Sequence, residues 1–345
     1  MRTGFRNSAT FGASVVSVGR RLLAHSRASE WWDFKLSPGL AVLYASAFIN
    51  SVAPTALYSA AILYLTALVA GATFVSALND LADRREDRRA SKFNPAHAGS
   101  AINWLMLGCS GAVGAAMLYA FSNRPMLFAV YLAGWIAFSA YSLPPFRFKG
   151  RTVLGLICDA VGAHVVPAVL AAVLIDPDAG LTAPWMLVVA SWGLCFGLRG
   201  ILAHQLADEA FDQRSGTRTF VVHYGRNKSE RIVRFLIFPI EVLMLALMVI
   251  RIGSITVPIA LVLSLVILRA KVSLYDLRPS LTGTSRKQIF VLSEFYIFYF
   301  PLALIVSLAL QNLTFAFLAP LHCLLFSRQA RNASNDIRAV ISRPE

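Results

Sequence analysis

Residues 79–95 read NDLADRREDRRASKFNP, and they decide the fold because Asp80, Asp83, Glu86 and Asp87 follow directly on a long apolar run. On an α-helix turning about 100° per residue, Asn79, Asp83 and Asp87 fall at about 0°, 40° and 80°, with Asp80 at about 100°. One helix face then carries three aspartates and an asparagine amide. Oxygen-only ligands spread along about 12 Å of helix suit a hard divalent cation, Mg2+ above all, which dehydrates reluctantly and is commonly shared with substrate phosphates. Lys92 and the arginines Arg84, Arg85, Arg88 and Arg89 bring the opposite charge close by. Taken alone, the segment also reads as a solvated charge run at a helix end.

A second copy favours the first reading. Residues 204–214 read HQLADEAFDQR, so Leu81, Ala82, Asp83, Asp87 and Arg89 recur as Leu206, Ala207, Asp208, Asp212 and Arg214. His204, Asp208 and Asp212 take the helical positions of Asn79, Asp83 and Asp87, again after an apolar run. The chain therefore contains an internal pseudo-repeat, and two acidic helix faces are expected to confront each other across a cavity. With His204 and Gln205 in place of Asn79 and Asp80, the second face is the poorer metal binder.

The sequence around these motifs is that of an integral membrane protein. Of 345 residues, 57% are hydrophobic and 14% charged, outside the range of soluble domains. Apolar runs near 38–53, 56–79, 101–122, 125–142, 152–175, 183–205, 232–250, 252–270 and 289–311 approach the roughly 20 residues that a spanning helix needs. The expected fold is an all-α bundle of nine transmembrane helices around a central cavity. The run 313–327 adds a short tenth span or a re-entrant hairpin, since a basic tail on the same side as the N-terminus is incompatible with nine spans alone. Residues 1–35 then form a basic N-terminal segment, 36–327 the transmembrane domain and 328–345 a basic tail.

Most of the 32 lysines and arginines fall on alternate loops, which accounts for the net charge of +14 and places both acidic motifs on the cytoplasmic side of a bacterial plasma membrane. The arginine-rich first 30 residues, with no acid before Glu30, equally resemble an organelle transit peptide, so an organelle inner membrane stays open. Trp31, Trp32 and Lys35 read as an interfacial anchor for the first helix. No nucleic-acid partner is expected, because the basic residues are spread over every inner loop instead of lining one soluble face. Cys109, Cys158, Cys195 and Cys323 lack the spacing of a disulfide framework or a zinc site.

A third polar segment lies on the inner loop after the fourth span: Tyr141 and Ser142, two prolines, then Arg147, Lys149 and Arg151. Alternate residues of an extended chain point the same way, so these three bases are expected to grip a diphosphate together. An ordinary positive-inside loop explains the charge but neither the spacing nor the Tyr-Ser pair.

In these three motifs the chain resembles the UbiA-type family of intramembrane prenyltransferases, over most of its length. The matching positions are Asn79, Asp80, Asp83 and Asp87; Tyr141, Ser142 and Lys149; and Asp208, Asp212, Gly216, Arg218 and Thr219. The resemblance implies a helical bundle that binds an isoprenyl diphosphate through Mg2+ held by both acidic motifs, with Tyr141 facing the substrate. Two positions depart from the pattern: Asn94-Pro95 stands where Arg-Pro is common, and His204 and Gln205 open the second motif.

The residues themselves support ionisation of an allylic diphosphate. Asn79, Asp80, Asp83, Asp87, Asp208 and Asp212 are the candidate metal ligands, and Lys92, Arg147, Lys149, Arg151 and Arg218 the candidate diphosphate contacts; inside a dry cavity such charges act strongly on a leaving pyrophosphate. The allylic cation left behind needs π-faces and a dry wall. Transfer of the prenyl chain to a lipophilic acceptor, aromatic or quinone-like, is the leading reading. A terpene cyclase using the same site without an acceptor is the alternative, and a polyisoprenoid-binding protein or transporter the second. Deeper ionisable residues, Asp159, His164, Arg199, Glu241 and Glu294, are expected to face one another or a cavity, with Asp159 and Arg199 as a structural pair. The loop from Tyr275 to Lys287 is a candidate lid.

Overall fold

Prolines and glycines set most of the helix ends in the computed structural model, which describes residues 22–89, 91–97, 99–283, 285 and 287–342. A helix α1 (Ser37–Ile49) follows a short turn at Ala28–Trp31 and a π-helical turn at Trp32–Leu36. Then come α2 (Pro54–Arg89), α3 (Ser100–Phe121), α4 (Pro125–Ser142), α5 (Thr152–Ile175) and α6 (Pro184–Ser215). Helices α7 (Arg226–Ile252) and α8 (Thr256–Leu274) lead into a strand pair, β1 (Arg278–Ser280) with β2 (Gln288–Phe290). The chain ends in α9 (Phe295–Gln311), α10 (Leu318–Leu325) and α11 (Ser327–Ile341). Proline at the first position opens α4 and α6, where its missing N–H leaves no hydrogen bond unmade.

Among the described residues seven helices, α2 to α8, are long and apolar enough to cross a membrane. The bundle is thus an all-α integral membrane protein, and α1, Phe295–Gln311 and Leu313–Leu325 are shorter apolar helices beside the seven. Two of the seven are conspicuously long. At 1.5 Å per residue, α2 and α6 run about 54 and 48 Å, well beyond the roughly 30 Å of a hydrocarbon core. Their surplus turns carry the two acidic motifs, so the charges sit past the apolar stretch of each helix.

One large apolar core joins α1, α2, the second half of α5, α6 and α9, with Tyr64, Trp192, Phe295 and Tyr296 among its buried side chains. A smaller cluster, including Leu156, Leu202, Leu206, Val221 and Val233, lies beneath the second motif and ties the end of α6 to the starts of α5 and α7. Close approach of α5 to α6 depends on glycine: a Cβ at Gly197 would lie 2.9 Å from the Ala160 Cα, and one at Gly193 3.1 Å from the His164 carbonyl oxygen. Membrane helices use small residues for this purpose, because lipid supplies no hydrophobic drive for association.

Three expectations are revised by the fold. Arg199 pairs with Glu241 instead of Asp159: two hydrogen bonds of 2.6 Å join guanidinium and carboxylate, and both side chains are fully buried. The face of Arg199 lies 4.1 Å from the Phe290 ring centroid, and its remaining nitrogen donates to the Val291 carbonyl at 3.1 Å. Trp31 is buried, and Lys35 is turned into the bundle by the π-helical turn, so this segment is no simple interfacial anchor. Among its described residues, the loop from Tyr275 to Lys287 contributes no wall to the polar cavity described below. The tail returns to the end of the bundle that carries the N-terminal turn, for Arg328 donates to Asp33 at 2.9 Å and Asp336 pairs with Lys271 at 2.7 Å.

Candidate functional site

The C-terminal ends of α2 and α6 meet around one polar cavity of about 160 Å³. Each end is shaped by its own stop signal. Gly216 caps α6 in the left-handed conformation (φ 73°), its N–H bonding back to the carbonyls of Asp212 and Gln213, the usual glycine C-cap. The last turn of α2 closes when Lys92 N–H reaches the Asp87 carbonyl at 2.8 Å, with Ser91 at positive φ. That turn folds Lys92 back over the site.

All six candidate metal ligands, Asn79, Asp80, Asp83, Asp87, Asp208 and Asp212, line this cavity, together with Lys92, Tyr141 and Lys149. The two halves of the pseudo-repeat are joined directly, since the Lys92 ammonium donates to Asp208 at 2.7 Å. Lys149 contacts Asp83, and His204 lies 3.6 Å from the Asp208 carboxylate one turn away. Burial pushes the Lys149 ammonium down to about 8, because a low-polarity surrounding disfavours the charged form.

Other sequence-chosen residues are placed differently. The segment after α4 is not extended: Arg147 has φ 38° and a tight turn follows at Phe148–Gly150, so the three bases diverge. Arg147 turns to Asp83 and Glu86, Arg151 donates to the Pro145 carbonyl at 2.9 Å, and neither lines the cavity. Arg218 is exposed; its backbone carbonyl accepts from Thr152 N–H at 3.1 Å, and Thr219 takes its place in the wall. Ser142 is buried and donates to the Asn79 amide oxygen, fixing that side chain from behind. Gln205 lines the cavity while its amide oxygen accepts Val221 N–H at 3.3 Å, which orients the loop after α6.

Several participants escaped the sequence reading. Asn94 donates to the Asp87 carboxylate at 2.8 Å and to the Asp80 carbonyl at 2.9 Å, so the residue that departs from the family pattern serves as a clamp on the first motif. Arg27 reaches from the N-terminal turn to within 2.9 Å of buried Asp80, though its N–H is not aligned on that oxygen. Asn103 donates to the other Asp80 oxygen at 3.2 Å and is joined in turn to His25 at 2.7 Å. Glu86 also lines the wall. A polar residue seven positions after Asp87 was visible in the sequence; nothing there pointed to Arg27 or Asn103, which come from other elements.

Among the described residues no three His, Cys, Asp or Glu side chains converge on a single point. Lys92, Lys149 and Arg27 pair with Asp208, Asp83 and Asp80, and the Asn94 amide donates a hydrogen bond to Asp87. The donor set nevertheless suits Mg2+, being almost wholly carboxylate and amide oxygen around one water-accessible space. Beyond it an apolar cavity of about 70 Å³ begins, walled by Ala67, Gly71, Val75, Gly134 and Phe138 among others. Val75 and Ser76 precede Asn79 by about one turn, and Phe138 precedes Tyr141 by the same spacing, which is about 5 Å along each axis. The polar cavity and the apolar one therefore lie about one helical turn apart along α2 and α4.

Comparison with known proteins points the same way. A family model described as the UbiA prenyltransferase family matches residues 36–293. A curated relative, a lycopene elongase/hydratase from Haloferax volcanii, is 26% identical over 166 residues, which is 47% of this chain and 52% of that protein; the chain thus spans about half the length of the relative it matches. Two structures of a UbiA homolog from Archaeoglobus fulgidus, one bound to GPP and Mg2+ and one to DMAPP and Mg2+, superpose with TM-scores of 0.59 and 0.56. Each is 20% identical and covers 86% of this chain and 99% of the other, a likeness of fold.

Proposed function

We infer the reaction from one premise: this chain belongs to the UbiA prenyltransferase family. As a membrane-embedded enzyme it ionises an isoprenyl diphosphate in the polar cavity and transfers the prenyl group to a lipophilic acceptor. The observation that carries this reading is the meeting of two acid-bearing helix ends around one cavity, bridged by Lys92 and Asp208, next to an apolar chamber. The Archaeoglobus structures, with a prenyl diphosphate and Mg2+ bound, support it through the shared fold.

Asn79, Asp80, Asp83, Asp87, Asp208 and Asp212 would hold Mg2+. The ion, when bound, supplies charge that stabilises a leaving diphosphate. Lys92 and Lys149 now neutralise Asp208 and Asp83. With those carboxylates serving a cation, both ammonium groups would be free to contact the diphosphate oxygens at the same mouth. The α2–Asn94 clamp keeps Asp87 from drifting during that exchange. As the allylic C–O bond breaks, its electron pair leaves with the diphosphate, and Tyr141 and Phe138 present π-faces to the positive carbon chain. The apolar chamber excludes water that would otherwise quench the cation.

The basic residues on alternate loops support a cytoplasmic, or topologically equivalent, placement of this mouth, in a bacterial plasma membrane or an organelle inner membrane. The test is an incubation of purified protein with Mg2+, labelled prenyl diphosphates and a panel of acceptors, beside Asp83→Ala and Asp208→Ala. Acceptor-dependent prenylation lost in both variants supports the reading. Cyclic hydrocarbon formed from diphosphate alone would assign a cyclase instead, and full turnover in either variant would refute the metal site.

A further inference from the structure

The apolar chamber beside the polar cavity ends at a floor. Along α2 its wall runs from Ser76 to Ala67, along α4 from Phe138 to Tyr131, and along α5 from Gly162 to Leu170, in each case away from the acidic motifs. Past these segments Tyr64, Leu127 and Leu174 lie buried in the large core. Tyr131 lies across this end. It is 3% exposed, and its hydroxyl donates to the Ala67 carbonyl of α2 at 3.3 Å. Its ring meets Phe121 of α3 and Trp135 of α4 edge to face, with centroids 5.6 and 6.0 Å away. Trp135 is seated in turn over Gly114, where any Cβ would overlap the indole. The floor is therefore held in place from three helices.

Resting on the prenyl-transfer reading above, we propose that Tyr131 sets the length of the donor, and that the donor is a short-chain allylic diphosphate of at most three isoprene units. With the diphosphate held at the motifs, the prenyl chain starts level with Asn79 and Tyr141 and runs into the chamber. Ala67 lies 12 residues before Asn79, and Tyr131 lies 10 before Tyr141, so at about 1.5 Å per residue the floor is about 15–18 Å away. An extended isoprene unit advances about 5 Å, being four carbon–carbon bonds of about 1.5 Å in zigzag. Three units reach the floor, and a fourth meets the Tyr131 ring. Gly71 keeps the passage open midway, for it lines the chamber and a Cβ built on it meets nothing within 4 Å.

The test measures Mg2+-dependent binding of non-hydrolysable dimethylallyl, geranyl, farnesyl and geranylgeranyl diphosphate analogues to the full-length protein in one detergent. Wild-type affinity should rise at least about threefold per unit up to farnesyl, as each unit buries more apolar surface. It should then fall at least about tenfold at geranylgeranyl, which overpacks the floor. Tyr131→Ala should bring geranylgeranyl to within about threefold of farnesyl by leaving a cavity at the floor, with geranyl binding kept. Tyr131→Phe, which retains the ring, should keep the wild-type limit. Gly71→Leu is the independent arm: it fills the passage midway and should weaken farnesyl at least about tenfold with dimethylallyl nearly unchanged. Micelles take up the longest analogue equally in every sample, so the change between variant and wild type isolates the floor. Equal affinity of wild type for farnesyl and geranylgeranyl overturns the proposal. So does a limit that survives in Tyr131→Ala with geranyl binding intact, or a Gly71→Leu protein that loses all four analogues alike. Absence of binding of every analogue to wild type would sink the prenyl-transfer reading instead.

Discussion

Lys149 is the residue whose ionisation the site should report. Burial lowers its ammonium from the ordinary 10.5 to about 8, so the group is charged below that pH and neutral above it. A diphosphate is attracted only by the charged form. kcat/KM reports ionisations of the free enzyme, and it is expected to fall as pH rises through about 8, with the break moved upward in Lys149→Arg. Stability runs the other way: between about 8 and 10.5 the unfolded chain binds the extra proton, so the fold gains slightly as pH rises across that window. A profile flat to pH 9.5 in wild type would remove Lys149 from the diphosphate contacts. At the same scale, Arg199 and Glu241 are each fully buried and each other's main partner. Removing one leaves an unpaired buried charge, so Arg199→Met should destabilise by about 3–5 kcal/mol. Removing both in Arg199→Met with Glu241→Leu should recover much of that, as read from thermal unfolding in detergent.

The elements explain why two ordinary-looking helix ends make one site. Each acidic motif sits on the surplus turns of an overlong helix, and each is stopped by a residue at positive φ, Ser91 for α2 and Gly216 for α6. The glycine face of α6 lets α5 come close enough for the smaller core to brace the second motif. Gly197→Ala forces a Cβ to 2.9 Å from the Ala160 Cα and should lower the unfolding temperature and turnover together. Gly108→Ala, on α3, meets nothing within 4 Å and should be neutral or stabilising, since alanine favours helix by up to about 1 kcal/mol. Equal effects from the two substitutions would show that α5–α6 contact does not position the motif. The extended grip expected of Arg147, Lys149 and Arg151 failed at this level for a local reason. The backbone turns at Arg147, and a period of two holds only in a strand.

Across the whole molecule, the N-terminal turn and the C-terminal helix close on the same end of the bundle, through Arg27 with Asp80, Arg328 with Asp33, and Lys271 with Asp336. Cysteines introduced singly at Arg331 and Glu30 should therefore react with a membrane-impermeant reagent from the same side of sealed vesicles. Labelling from opposite sides would mean that Leu313–Leu325 does not return the chain. Chelation of Mg2+ should abolish prenyl transfer while leaving helix content and unfolding temperature nearly unchanged, because Lys92, Lys149 and Arg27 already pair with Asp208, Asp83 and Asp80 in the ion-free protein. Collapse of the fold on chelation would mean that the ion is structural.

Composition and the repeated acid pattern were enough, without coordinates, to establish a helical membrane bundle, the two motif helices and the oxygen-rich character of the site. Those properties are periodic or additive along the chain: hydropathy sums over a span, and helical spacing puts Asn79, Asp83 and Asp87 on one face. Which charges meet was decided only in three dimensions. Arg27, Asn94 and Asn103 join the site, Arg151 and Arg218 leave it, Arg199 chooses Glu241 over Asp159, and Lys35 turns inward. A charge pair depends on distances of a few ångströms between residues far apart in the chain, and those distances are fixed by loop turns and close helix packing that no local pattern encodes.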